Sequence, residues 1–228
     1  MLTLKEINRH PSIEKSIEIT KYVNENVVRL PHLHVHILYI LREIMKEECK
    51  VFLEIGTYWG GSLAVVIQSK SPCKFLSIDN NKFIYEHKGP IDKSVSRENI
   101  VKRCIDELNI YNHKYDLIVG DSLDPKTLTK TKVLAKNPVD LLFIDGLHET
   151  RQVINDFNTY FPLVRDKGII VFDDYMTKGG VKEAVDNLIE RNIDKRFVPL
   201  GSSKNFIKSS TLSHDTNNSF IFVKISGE

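Results

Sequence analysis

Two apolar runs that each end in aspartate constrain this chain more than anything else in it. Val139–Ile144 (VDLLFI) leads straight into Asp145, and Gly168–Phe172 (GIIVF) into the pair Asp173–Asp174. Nearly continuous apolar runs suit strands of a parallel sheet covered on both faces, because neither side of such a strand meets water. Open α/β sheets bind their ligands just beyond the carboxyl ends of the strands. Three carboxylates delivered to that edge repel one another and call for a compensating charge. A bound divalent cation is the simplest one. His148, three residues past Asp145, stands at the same edge.

The remainder of the chain alternates in the same manner. Further strands are expected at Val51–Ile55, Lys74–Ile78 and Asp116–Val119, with helical segments near 61–69, 96–110, 125–134, 149–164 and 180–191. Ile100, Val101, Cys104, Ile105 and Leu108 form an amphipathic stripe behind a capping serine, Ser96. Asp124–Pro125 is a good cap and first-turn pair. The tail offers two β-like runs, Arg196–Leu200 and Ser219–Ile225, that read as a hairpin adding an antiparallel strand. Residues 1–48 read as a helical preface, with one stripe through Ile13, Ile17, Ile19, Tyr22 and Val23 and a second over Leu33–Lys46, broken at Pro31. His32, His34 and His36 alternate there. On a helix that spacing scatters the rings, so they read as polar residues around a helix start rather than as metal ligands. Residues 49–228 then form one α/β domain, a mostly parallel seven-stranded sheet with an antiparallel C-terminal strand and helices on both faces. The segment 80–93 is long enough to wall a site and equally suited to plain surface.

Charge excludes more than it suggests. The chain has 32 basic and 30 acidic side chains, a net charge of +2, so no basic surplus points to nucleic acid. Cys49, Cys73 and Cys104 are odd in number and form no C-x-x-C pair, which reads as free thiols in a reducing compartment. The amino terminus lacks the apolar centre of a signal peptide, and no stretch approaches ~20 apolar residues. The expectation is a soluble cytoplasmic protein with no membrane partner, and the sequence is compatible with a homo-oligomer.

After the first strand comes GTYWGGS, preceded by Glu54. Glycines at 56, 60 and 61 allow a tight turn and close approach of backbone to a ligand, and a helix start supplies donors for an anionic group. The spacing is G-x-x-x-G-G, not the dinucleotide pattern G-x-G-x-x-G. Asp79 closes the next strand, where a carboxylate can accept from ribose hydroxyls; capping the following turn is its other reading. Gly120-Asp121-Ser122 ends the third strand, where polar groups can read the edge of an adenine, and Asp121 could equally cap a turn. Together these three elements argue for a ligand containing adenosine.

At this point the residues resemble a family. The strand order and the run E-x-G-x-Y-x-G-x-S (Glu54, Gly56, Tyr58, Gly60, Ser62) resemble the Rossmann-like class I S-adenosylmethionine-dependent methyltransferases, and within them the metal-dependent O-methyltransferases of the catechol type. I-D-G-x-H, F-D-D-Y and G-V-K-x-A-V-D (Gly180–Asp186) resemble the bacterial branch with macrocin and macrolide-sugar O-methyltransferases. The resemblance implies that Glu54, Gly56, Tyr58, Gly60 and Ser62 surround the methionine end of S-adenosyl-L-methionine, with Asp79 at the ribose and Asp121 and Ser122 at the adenine. Asp145, Asp173 and Asp174 would hold the metal, and an oxygen-only set suits Mg2+. Asp145 and His148 would be catalytic, His148 standing as base where the catechol enzymes place a lysine. The acceptor implied is a hydroxyl of a small molecule, a sugar or glycoside in the nearer branch. Some proteins with this motif set are described as cephalosporin hydroxylases, and a non-catalytic cofactor-binding protein is the other alternative.

Overall fold

Alternate side chains of a strand point to opposite faces, and here both faces are apolar. Along β1 (Val51–Ile55), Phe52 joins one core while Val51, Leu53 and Ile55 join the other. The computed structural model describes residues 2–27, 35–82, 95–176, 179–192, 195–202 and 219–225. Pro31, His32 and His34, nearly all of the 80–93 segment, and the polar loop of the tail hairpin lie outside the described residues.

The remaining strands are β2 (Lys74–Asp79), β3 (Lys114–Val119), β4 (Val139–Ile144), β5 (Val164–Phe172), β6 (Phe197–Ser202) and β7 (Phe220–Lys224). They form a seven-stranded sheet in the order β3-β2-β1-β4-β5-β7-β6. The first five are mutually parallel; β7 runs antiparallel between β5 and β6. The expected Rossmann-like sheet is therefore present, with the C-terminal strand inserted inside the hairpin edge. Around it lie α1 (Leu4–Asn8), α2 (Ile13–Tyr22), α3 (His36–Met45), α4 (Gly61–Val66), α5 (Arg97–Leu108), α6 (Pro125–Ala135), α7 (Thr150–Tyr160) and α8 (Val181–Glu190). Helices α3, α4 and α5 pack with Phe52, Phe75 and Phe143 on one face; α7 and α8 pack with Leu53, Leu142 and Ile170 on the other.

Several boundaries differ from expectation for local reasons. Short helix α1 was not anticipated, although Thr3 and Glu6 form a complete capping box. The helix expected over 149–164 ends at Tyr160, and Pro162 sits in the 3-10 turn Phe161–Leu163 that follows. Strand β5 begins at Val164 rather than Gly168, because the polar run Arg165–Lys167 belongs to it; Lys167 has φ +59° and the β4–β5 register shifts there. Strand order reverses between β1 and β4: β2 and β3 continue on one side, β5 on the other. This switch point opens a crevice at the carboxyl ends of β1 and β4.

Candidate active site

The strand tips at the crevice are tied level by single backbone hydrogen bonds. The Gly56 N–H donates to Ile78 O (2.8 Å), that of Asp145 to Ile55 O (2.8 Å), that of Asp173 to Ile144 O (3.0 Å) and that of Gly120 to Asp79 O (2.9 Å). Gly56 has φ +97°, and a Cβ there would lie 1.9 Å from the carbonyl oxygen of Asp145. Only glycine lets β1 leave the sheet against the exit of β4, so this glycine sets where Asp145 stands. Gly60, at φ +81°, is the residue just before α4, and a Cβ on it would meet Val101 of α5 at 2.9 Å.

Asp145, His148 and Asp174 come together. The His148 Nε2 lies 3.2 Å from Asp145 Oδ1, and its Nδ1 3.2 Å from Asp174 Oδ2. One ligand atom from each of the three falls within 4.8 Å of the others, the spacing a single cation needs. Asp174 is buried and left-handed (φ +54°), a conformation that aspartate tolerates better than most residues. Asp173, also buried, accepts from the Ser219 hydroxyl (3.1 Å) instead of joining that cluster, and its charge bears on both Asp145 and His148. The hydrogen bond with Asp145, reinforced by the carboxylate charges, raises the His148 imidazole to about 9. Burial and the Asp173 charge push the Asp145 carboxyl well above its usual range, with His148 opposing them. Two carboxylates converging on one point, with an imidazole between them, fit a divalent cation.

A second group surrounds the ends of β1 and β2. Glu54 is fully buried; it accepts from the Ser77 hydroxyl and hydrogen-bonds with Ser62, and Ser77 in turn meets Thr57. Burial raises the Glu54 carboxyl to about 7 against those two serines. Asp79 accepts the Tyr58 N–H on Oδ2 (2.8 Å). It lines a small cleft with Thr57, Tyr58, Ser77, Asn81 and Val101. Apolar Val101, Leu117 and Ile118 wall this cleft beside the part-buried Asp79 carboxylate, the pairing of surfaces that a nucleoside's base and ribose call for.

Asp121 and Ser122 sit just beyond the tip of β3, each with a partner in the protein. The Asp121 carboxylate accepts from Leu123 N–H (3.0 Å), the turn-capping alternative, and the Ser122 hydroxyl donates to Asp156 Oδ1 (2.5 Å). Asp156 was missed by the sequence reading. It occupies a buried position of the α7 stripe with Val153, Phe157 and Tyr160, and a carboxylate at an apolar position was the available signal. Burial raises it to about 6. Arg97, ion-paired with Asp79 at 2.6 Å, left no pattern to find.

Residues 53–175, more than half of the chain, match a family described as a methyltransferase domain. The uncharacterized protein R132 of Acanthamoeba polyphaga mimivirus is 36% identical over 156 residues, 68% of this chain and 65% of the relative's own length. Two solved structures share the fold. An O-methyltransferase from Bacillus cereus, in complex with SAH, superposes with TM-score 0.60 at 16% identity, covering 95% of this chain and 92% of that one. The O-methyltransferase TomG from Streptomyces achromogenes, involved in tomaymycin synthesis and in complex with SAM, gives 0.62 at 15% identity, covering 96% and 91%. Among the described residues no helix is long and apolar enough to cross a membrane. With its sheet order, its switch-point crevice and the matched span agreeing, the chain belongs to the methyltransferase-domain family.

Proposed function

We propose that this protein is an S-adenosylmethionine-dependent, divalent-metal-assisted O-methyltransferase, and that its acceptor is a hydroxyl of a small molecule, with sugar and glycoside hydroxyls the class to test first. The observation that carries the reading is the convergence of Asp145, His148 and Asp174 at the switch point, beside the cleft at Asp79. Two relatives of the same fold are described as O-methyltransferases and hold the cofactor or its product, which supports the donor.

Methyl transfer to oxygen needs a nucleophilic hydroxyl aligned with an electrophilic carbon. S-adenosylmethionine supplies an activated methyl, and Mg2+ or a similar cation supplies Lewis acidity towards the acceptor oxygen. The chain's own residues do the rest. Asp145 and Asp174 would hold the cation, Asp173 would add charge behind them, and His148 stands between the two ligating carboxylates as the base. His148 then takes the acceptor proton, a role for which a neutral imidazole is suited near physiological pH. Asp79, Tyr58 and the buried Glu54–Ser62 pair position the donor.

Thermal unfolding in the presence of S-adenosylhomocysteine and Mg2+ tests both assignments. At a hundred times Kd a ligand stabilises by about 2.7 kcal/mol, roughly 5–10 °C for a domain of this size. Stabilisation by S-adenosylhomocysteine that Asp79→Ala removes, and by Mg2+ that Asp145→Asn removes, is the expected result. No shift with either ligand contradicts the proposal.

A further inference from the structure

Asp79 reaches the cleft already engaged. Its Oδ1 accepts from the Asn81 N–H (2.7 Å) and from Arg97 Nη2 (2.6 Å), and its Oδ2 accepts from the Tyr58 N–H (2.8 Å). The guanidinium of Arg97, largely buried at the first residue of α5, also donates to Asn81 Oδ1 from Nε (3.1 Å) and Nη2 (2.6 Å). Of the ion pair, Asp79 lines the cleft and Arg97 does not. An ionised carboxylate offers about four acceptor positions, two on each oxygen. This chain fills both on Oδ1 and one on Oδ2. A ribose diol brings two donors to a carboxylate with one position open.

We propose that Arg97 is a positioning residue that closes off Asp79 Oδ1, so that the carboxylate grips one ribose hydroxyl through Oδ2 instead of both hydroxyls. The inference rests on the reading of the cleft as an adenosine site and adds to it a selectivity belonging to this chain. The forked guanidinium matters, since it spans Asp79 and Asn81 at once and fixes the carboxylate plane. A neutral side chain at 97 frees Oδ1 and lets the second hydroxyl bind as well.

The test is calorimetric titration of the full chain with S-adenosylhomocysteine and its 2′-deoxy and 3′-deoxy analogues. For the wild type, loss of one hydroxyl is expected to weaken binding about tenfold or more, as for a hydrogen bond to a charged group, and loss of the other by less than about threefold. In Arg97→Met the two analogues become similarly weak relative to the parent, and Arg97→Lys, which keeps the charge and a donor, restores the one-sided preference. A merely structural role would lower affinity for all three ligands alike and leave their ratios unchanged. Equal weakening of both analogues in the wild type overturns the inference without any variant, and so does a one-sided preference surviving in Arg97→Met. Absence of S-adenosylhomocysteine binding to the wild type overturns the cofactor reading itself, and this inference with it.

Discussion

Glu54 offers a sharp test of how the cofactor end of the site is built. Its side chain is fully buried at the end of β1, with Ser77 and Ser62 as hydrogen-bond partners and the Asp79 and Asp173 charges nearby. Burial raises its carboxyl from the usual 4.5 to about 7. Below pH 4.5 the group is neutral in both folded and unfolded chains and costs nothing. Between pH 4.5 and 7 the unfolded chain ionises while the folded one stays protonated, so stability falls as pH rises and the loss is complete above pH 7. The magnitude is about 3 kcal/mol, a large share of the ~5–15 kcal/mol that holds a domain together. Glu54→Gln is neutral throughout and mimics the protonated acid. Urea unfolding of both proteins from pH 4 to 8.5 isolates the effect, because every other titrating group is common to the two. The stability of Glu54→Gln relative to wild type should rise with pH by about 3 kcal/mol. A difference that is flat across the range refutes the claim that Glu54 is held neutral.

Three further outcomes are expected. Gly56→Ala places a methyl 1.9 Å from the Asp145 carbonyl at φ +97°; it should cost at least about 2 kcal/mol in chemical unfolding and abolish the Mg2+-induced rise in Tm by displacing Asp145. Asp140, buried at the opposite end of β4, accepts from Lys50 N–H (2.7 Å) and Val51 N–H (2.8 Å) and pairs with Arg165; Asp140→Ala should lose about 3–5 kcal/mol by urea titration with cofactor binding retained in the folded fraction. Asp156→Asn should gain stability over wild type as pH rises from 3.8 through about 6, because the folded carboxyl is raised and the unfolded one is not; equal pH profiles would contradict its burial.

The sheet was legible because its strands are apolar on both faces, so that Val51–Ile55 and Val139–Ile144 appear in the structure with the bounds their composition marks. Edges were less legible. Strand β3 starts at Lys114 rather than Asp116, since an edge strand has polar, half-exposed positions that carry no apolar signal. Strand β6 runs through Pro199 to Ser202, and proline is tolerated there because the strand lies at the border of the sheet. Helix α4 stops at Val66 although apolar residues continue through Ile67, for no pattern marks the turn that follows. In the site, residues fixed by strand tips were readable: Asp145, Asp174 and Asp79 all stand where an aspartate ends an apolar run. What a side chain does after leaving the backbone was not readable. Ser122 donates to Asp156, Asp173 accepts from Ser219, and Arg97 pairs with Asp79; each is a tertiary choice between partners remote in sequence.

Release of S-adenosylhomocysteine from S-adenosylmethionine, followed over a panel of glycosides with Mg2+ or with a chelator, tests the central claim most directly. The account predicts turnover with at least one hydroxyl acceptor that depends on the cation, falls at least about a hundredfold in His148→Ala, and leaves S-adenosylhomocysteine affinity unchanged in that variant. Turnover that is indifferent to chelator and to the loss of His148 would contradict it.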